Sequence, residues 1–235
     1  VNIEILYEDN DFIVVNKPNN MLVHGSYYAR NLTSPTLLDL LLEQRGEKLF
    51  PVHRLDHKTS GVLILAKSAE MTAQLQFKIE DNSLDKKYLA LLRGYTPPTG
   101  TIDSPVKSAA TGKYKEALTE FTTLQSVEID IPVVPYPQSR YSLVEFSPKT
   151  GRMHQLRIHA NKISHPIIGD HKYGNRHHNR MFAETLFLPN LFLHAASVEF
   201  THPITNEPLK IIAKLPEFWE VMTGKIGFGA NMESN

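Results

Sequence analysis

The chain predicts a mixed α/β fold, with helices flanking a largely antiparallel sheet. Three observations predict it. Short apolar runs bounded by turn residues recur along the chain and read as strands. Capped stretches with an apolar residue every third or fourth position interrupt them and read as helices. Many of the strand-like runs follow one another at hairpin-like spacing, too short for a chain of crossovers, which favours antiparallel pairing. The 235 residues can bury one large core. With no repeat, linker or low-complexity tract, residues 1–235 read as a single domain.

The elements follow in order. Ile3–Tyr7 and Phe12–Asn16 read as strands around an acidic turn, closed by Pro18, which cannot continue a ladder. Ser34-Pro35-Thr36 predicts a helix start with a cap and a proline in the first turn. Leu37, Leu38, Leu40, Leu41 and Leu42 form its apolar side until Gly46. Val62–Ala66 reads as a core strand. Ser68 caps a second helix, on which Met71, Leu75 and Ile79 share one face. Tyr88–Leu92 is another buried strand. Residues 101–140 look least regular, with a loop at Lys107–Lys113 and a strand near Ala117–Leu124. Three prolines, Pro132, Pro135 and Pro137, exclude a helix or central strand there. Tyr141–Phe146 returns to strand. A helix is predicted from about Met153 to Ser164, then strands at Leu191–Thr201 and Leu209–Ala213 and a short helix near Pro216–Thr223.

Composition narrows the function. Hydrophobic residues at 41% and charged residues at 21% are ordinary for a globular protein. No apolar run approaches the ~18 residues of a membrane span. The opening Val1-Asn2-Ile3-Glu4 has neither the basic nor the apolar region of a signal peptide, and there are no cysteines, so a cytoplasmic protein is expected. The 25 basic and 25 acidic residues cancel. That balance argues mildly against a nucleic-acid partner, but a local basic patch suffices for one. Arg54, Lys86, Lys87, Lys107, Arg152, Arg157, Lys172 and Arg180 are among the cations near the motifs below, and the acidic residues crowd elsewhere, so a divided surface is expected.

The most informative segment is His53-Arg54-Leu55-Asp56-His57-Lys58-Thr59-Ser60-Gly61, directly before the Val62–Ala66 strand. It puts Asp56 on a tight loop at a strand mouth, where N–H groups and hydroxyls can hold a carboxylate ionised and aimed. Such a group suits a nucleophile or general base. An Asp before Thr-Ser-Gly is more often a plain turn residue, and other motifs decide between the two. His53-Arg54-Leu55-Asp56-x-x-Thr59-Ser60-Gly61 resembles the signature of the RluA-type pseudouridine synthases. Asn16-Lys17-Pro18, Lys86-Lys87-Tyr88-Leu89-Ala90, Gly151-Arg152-Met153-His154-Gln155-Leu156-Arg157-Ile158-His159, His165-Pro166-Ile167-Ile168-Gly169-Asp170 and Leu193-His194-Ala195 resemble its further motifs, in the same order.

The resemblance implies a mixed α/β catalytic domain and an isomerase that detaches uracil from ribose and rejoins it through C5, with no cofactor and no metal. It implies Asp56 as the catalytic residue. Arg157 is implied as the arginine that ion-pairs with that aspartate, an interaction that would lower the carboxylate's pKa and fix its rotamer. Read as helical, Arg157 lies three residues from His154 and shares its face. Tyr88 is implied as the ring that stacks on the flipped uracil, against the plainer reading of a packed core aromatic. Arg54 resembles the residue that enters the space left by the extruded base, and Arg152 one that touches phosphate. Many relatives carry an added N-terminal RNA-binding domain, and none is expected here. General likeness in the proline-rich insertion, the Glu145–Arg152 approach and Leu193–Thr205 favours the subgroup acting on uridine 65 of tRNA. Ribosomal RNA or another tRNA position is the alternative.

Other classes fit less well. A glycosidase needs a second carboxyl at ~5–10 Å, whereas arginines surround the motif. A non-catalytic RNA-binding module leaves Asp56 among phosphates that would repel it. Eleven histidines invite a metal site, yet His154 with His159, or His177 with His178, has no evident third ligand. The expected partner is an RNA, most simply a tRNA, bound by a monomer without membrane or metal.

Overall fold

The computed structural model describes residues 1–26 and 29–229. In chain order the elements begin with β1 (Glu4–Glu8), β2 (Phe12–Lys17), α1 (Leu37–Arg45), β3 (Phe50–Pro51), β4 (Ser60–Ala66) and α2 (Ala69–Glu80). Next come β5 (Asp85–Arg93), β6 (Thr99–Asp103), β7 (Val106–Lys107), β8 (Tyr114–Lys115), β9 (Leu118–Ile129) and β10 (Ser139–Pro148). The remaining elements are α3 (Gln155–Lys162), α4 (Arg176–Glu184), β11 (Leu193–Thr201), β12 (Pro208–Ile212) and α5 (Glu217–Ile226). They gather into two compact units. One holds residues 1–86 and 195–215, the other residues 87–194 and the segment from Pro216 onward. The strand pairs within them are antiparallel, and the fold is the mixed α/β arrangement that the sequence predicts.

In the first unit β2 pairs with β1 and β4, and β12 with β11. Phe12, Ile13, Val14 and Val15 are all buried, so β2 is covered on both faces and reads as an unbroken apolar run rather than an alternation. Met71 and Leu75 of α2 pack into a core with Phe12, Val14, Val62, Ile64 and Val198, and Ile79 lies against it. Ser68 caps α2 as expected, its hydroxyl accepting from the Met71 N–H at 3.1 Å. The start of α1 differs from expectation. Thr36 is the cap, in a reciprocal capping box with Asp39, so Ser34 and Pro35 lie outside the helix. Only Leu37 and Leu41 of the five leucines are buried, and Leu42 is 53% exposed. Gly46, at φ 70°, ends the helix in the left-handed region.

In the second unit β10 pairs with β5 and β9, and β9 with β6. Residues 101–140 are more regular than the sequence suggests. β9 and β10 form one long hairpin in register from Thr119–Pro148 to Ile129–Ser139, with a bulge at Leu143/Val144. The exposed positions of β9 are Glu120, Thr122, Leu124, Ser126 and Glu128, four of them polar, so its apolar signal is thin. The prolines sit in the turn, as expected, where Val133 and Tyr136 bridge. Residues 172–180, for which the sequence predicts no element, contain the start of α4. Asn175 caps it by accepting from the N–H groups of His177 and His178. Its inner face carries His178, Asn179, Met181 and Phe182, two of them polar, so no apolar run marks this nine-residue helix. Trp219 of α5 is buried against Phe192. Among the described residues no helix is long and apolar enough to cross a membrane.

Candidate active site

The segment around Asp56 belongs to the first unit, and β4 shapes it. The Ile64 N–H donates to His53 Nε2 at 2.9 Å. Burial, aided by the Lys86 charge, pushes His53 down to about 3, so the ring is a neutral acceptor. Leu55 is buried and anchors the next turn. Asp56 opens a β-turn through His57 and Lys58, closed by Thr59 N–H to the Asp56 carbonyl at 3.0 Å. β4 starts at Ser60, which places Asp56 at a strand mouth as the sequence predicts. Asp56 is half-buried and Arg54 exposed. The Thr59 hydroxyl is buried and has no hydrogen-bond partner among the described residues. Gly61 lies at φ 117°, and a Cβ there would sit 2.2 Å from the Ala195 carbonyl oxygen, so close approach of β11 demands glycine.

Lys17 ends β2 with its side chain fully buried. Its Nζ donates to the carbonyls of Pro18 (2.8 Å), Met21 (2.8 Å) and His57 (3.2 Å). One amine thus ties the loop after β2 to the turn that carries Asp56. Burial pulls the Lys17 ammonium down to about 7, and the Asp56 carboxylate acts in the opposite direction.

The second unit carries Tyr88 and Arg157. Tyr88 lies on β5 opposite Phe146, half-buried, and packs against the core of Ala90, Phe121, Phe146 and Leu156. α3 starts at Gln155 rather than Met153, because His154 takes a left-handed conformation at φ 58°. His154 therefore precedes the helix, and its relation to Arg157 is not that of two residues on one helical face. Both reach Tyr173 instead: His154 Nδ1 bonds its hydroxyl at 2.9 Å, and the Arg157 guanidinium lies 5.3 Å from its ring centroid. Arg157 also grips Asp170, donating Nε to Oδ2 at 2.8 Å and Nη2 to Oδ1 at 2.9 Å. Burial pushes the Asp170 carboxyl up. Arg157, with the N–H groups of Tyr173 and Lys172, more than offsets this and holds it below the usual carboxylate range. Gln155 is buried and uses its whole amide, accepting from Thr150 Oγ1 and Arg152 N and donating to Leu118 O and Thr119 Oγ1. Arg152 Nε donates to the Glu116 carbonyl at 2.8 Å.

The histidines are occupied in other ways. His159 bonds Thr119 Oγ1 and the Ser104 carbonyl, both at 2.8 Å, which uses both ring nitrogens. His178 Nδ1 bonds the Tyr141 hydroxyl at 2.7 Å inside the core. Asp9, Asp11 and His202 come close enough to suggest a cation site. Asp9, however, already accepts from Tyr7, His202 and two N–H groups that close the β1–β2 turn.

Sequence reasoning missed Lys17 as the tie beneath Asp56, and Gln155, Asp170 and Tyr173 as the supports of the Arg157 region. The available signals were a lysine ending a buried strand, and an aspartate after Gly169 in a stretch otherwise apolar.

The chain is similar to known proteins over nearly its whole length. A family model described as RNA pseudouridylate synthase matches residues 11–162. A protein of Haemophilus influenzae named tRNA pseudouridine synthase C is 40% identical, over 96% of this chain and 98% of its own. One of the same name from Pasteurella multocida is 41% identical, over 92% of this chain and 93% of its own. The solved structure of human RNA Pseudouridylate Synthase Domain Containing 1 aligns with a TM-score of 0.71 at 26% identity, covering 92% of this chain and 84% of that one. These likenesses run through the segments that hold Lys17, Asp56, Tyr88 and Arg157, and this chain belongs to the RNA pseudouridylate synthase family as an RluA-type isomerase.

Proposed function

We propose that this enzyme converts uridine 65 of cytoplasmic tRNA to pseudouridine, with Asp56 as its catalytic group and no cofactor. The observation that carries the reading is the near-complete match to relatives named tRNA pseudouridine synthase C. The chemistry breaks the N1–C1′ bond, turns the uracil, joins C5 to C1′, and moves one proton from C5 to N1. No redox change is involved. Asp56 acts at the ribose, as nucleophile or as base, from a turn held by the Lys17 amine and closed on β4. Arg157, steadied by Asp170, is read as a substrate-binding cation. Tyr88 stacks on the uracil, and exposed Arg54 fills the stack from which the base leaves. Extrusion costs a few kcal/mol of unstacking. In this reading both units belong to one catalytic domain, since the family match at residues 11–162 runs through both.

The test is to incubate the protein with total tRNA and with ribosomal RNA fragments and to map pseudouridine base by base. Product at tRNA position 65 is expected. Product confined to ribosomal RNA or to another tRNA position would overturn the substrate and leave the isomerase standing.

A further inference from the structure

The second unit contains a groove of about 430 Å³ between the β7–β8 hairpin and the start of α3. Val106, Lys107 and Tyr114 line one side, and Met153, His154, Lys172 and Tyr173 are among the residues on the other. Among the described residues no acidic one lines it, although the chain as a whole is neutral. Lys107 and Lys172 are exposed cations on opposite sides. Tyr114 is 69% exposed, and its backbone pairs with Lys107 across the hairpin. A large aromatic left this open on a two-stranded ribbon buries little and contributes little to the fold. Its ring face is available for stacking.

The opposite wall is built, not incidental. Asp170 accepts from the N–H groups of Lys172 (3.0 Å) and Tyr173 (3.1 Å), while its carbonyl receives Gly174 N and Asn179 Nδ2. The loop is thereby fixed to the same carboxylate that Arg157 grips. His154 is held at positive φ, which costs a non-glycine residue free energy and persists only where surroundings impose it. The bond to Tyr173 is part of what imposes it. Cations on both rims, an open aromatic face and an ordered loop together match one nucleotide: a base to stack and a phosphate to neutralise.

We infer that this groove binds a second nucleotide of the RNA, one that the isomerisation does not touch, with its base on Tyr114 and its phosphate between Lys107 and Lys172. The inference rests on the proposed RNA reaction and adds a specificity site to it. A nucleotide seated here lies against the loop whose Tyr173 packs on Arg157, so register of the RNA is set from a fixed point on the protein.

The test uses the full chain and tRNA transcripts in which single nucleotides around the modified uridine are replaced, one at a time, by abasic residues. Binding is read by fluorescence anisotropy and turnover by pseudouridine mapping. For the wild type, one abasic position should weaken binding about tenfold, the scale of one lost base–aromatic stack. Tyr114→Ala should bind the intact transcript about tenfold more weakly and be indifferent to that abasic position, while Tyr114→Phe behaves as wild type. Lys107→Ala and Lys172→Ala should each lower the slope of log affinity against log salt by about 0.7–0.9. If the wild type modifies the transcript but tolerates every abasic position, or if Tyr114→Ala keeps the same abasic penalty, the groove is not a nucleotide site. Failure of the wild type to modify any intact RNA would instead overturn the functional reading.

Discussion

Arg157 holds the Asp170 carboxylate at two points, Nε to Oδ2 at 2.8 Å and Nη2 to Oδ1 at 2.9 Å. Both side chains are largely withdrawn from water, at 13% and 1% exposure. The fork fixes the guanidinium plane and at the same time orders the 170–174 loop, so one ion pair sets the position of Arg157, Lys172 and Tyr173.

Removing one partner of such a pair strands the other charge. Asp170→Ala should cost about 3–5 kcal/mol of stability, read by urea unfolding. The pH dependence has a defined sign. The folded carboxyl titrates below its unfolded value, so its contribution is complete above the unfolded pKa and is lost as pH falls through the folded one. The stability gap between wild type and Asp170→Ala should therefore shrink in acid, below about pH 4. A gap that stays constant through that range would show that charge on Asp170 is not what stabilises.

Arg157→Lys should rescue little of the activity lost in Arg157→Ala, because a point charge cannot reproduce the two-point fork. Turnover on tRNA, measured with binding alongside, checks this. A lysine variant with wild-type turnover would reduce Arg157 to general surface electrostatics.

Asp56→Asn should abolish pseudouridine formation while leaving the melting temperature and RNA affinity close to wild type. The turn keeps its Thr59-to-Asp56 backbone bond whichever side chain is present. Turnover within about tenfold of wild type, equivalent to a barrier change of only ~1.4 kcal/mol, would refute the assignment.

Lys17→Met should lower both stability and turnover, since three backbone carbonyls lose their donor and the Asp56 turn loses its tie. Each buried acceptor left unsatisfied costs about 1–3 kcal/mol. The folded amine titrates near 7, below its unfolded value, so between pH 7 and about 10 the unfolded chain holds more protons at this site. Stability from this group then rises with pH, and wild type should pull further ahead of Lys17→Met from pH 7 to 9. An unchanging difference would mean that the three carbonyls keep the ammonium charged throughout.

Chelators should leave turnover intact. The isomerisation involves no redox step. In the Asp9, Asp11 and His202 cluster, the nearest thing to a ligand set among the described residues, Asp9 accepts from the N–H groups of the β1–β2 turn while His202 bonds Asp9 and the N–H groups of Ile204 and Thr205. Activity lost to chelator and restored by zinc would overturn the metal-free reading.

Much of this protein is legible from its residues in order. The fold class, the strand at Val62–Ala66, the Ser68 cap with its Met71–Leu75–Ile79 face, and the placement of Asp56 at a strand mouth all rest on local signals: apolar period, capping side chains and turn chemistry. Those signals act over a few residues, and the sequence displays them directly. The motif order likewise sufficed to reach the family, and the proposed roles of Arg54, Asp56, Tyr88 and Arg157 rest on it. What the fold alone decided depends on partners far away in the chain. The exposed face of β9 is mostly polar and the inward face of α4 is half polar, so the full extent of each is set by pairing with β10 and by packing rather than by an apolar run. Gly61 is required because the Ala195 backbone approaches it from 134 positions along the chain. The Lys17 tie to His57 closes across 40 residues, and Gln155 finds Thr119 across 36. Hydrogen bonds between buried groups carry no period and no spacing rule. They exist because each polar atom withdrawn from water needs a partner, and only the folded chain determines which one is within reach.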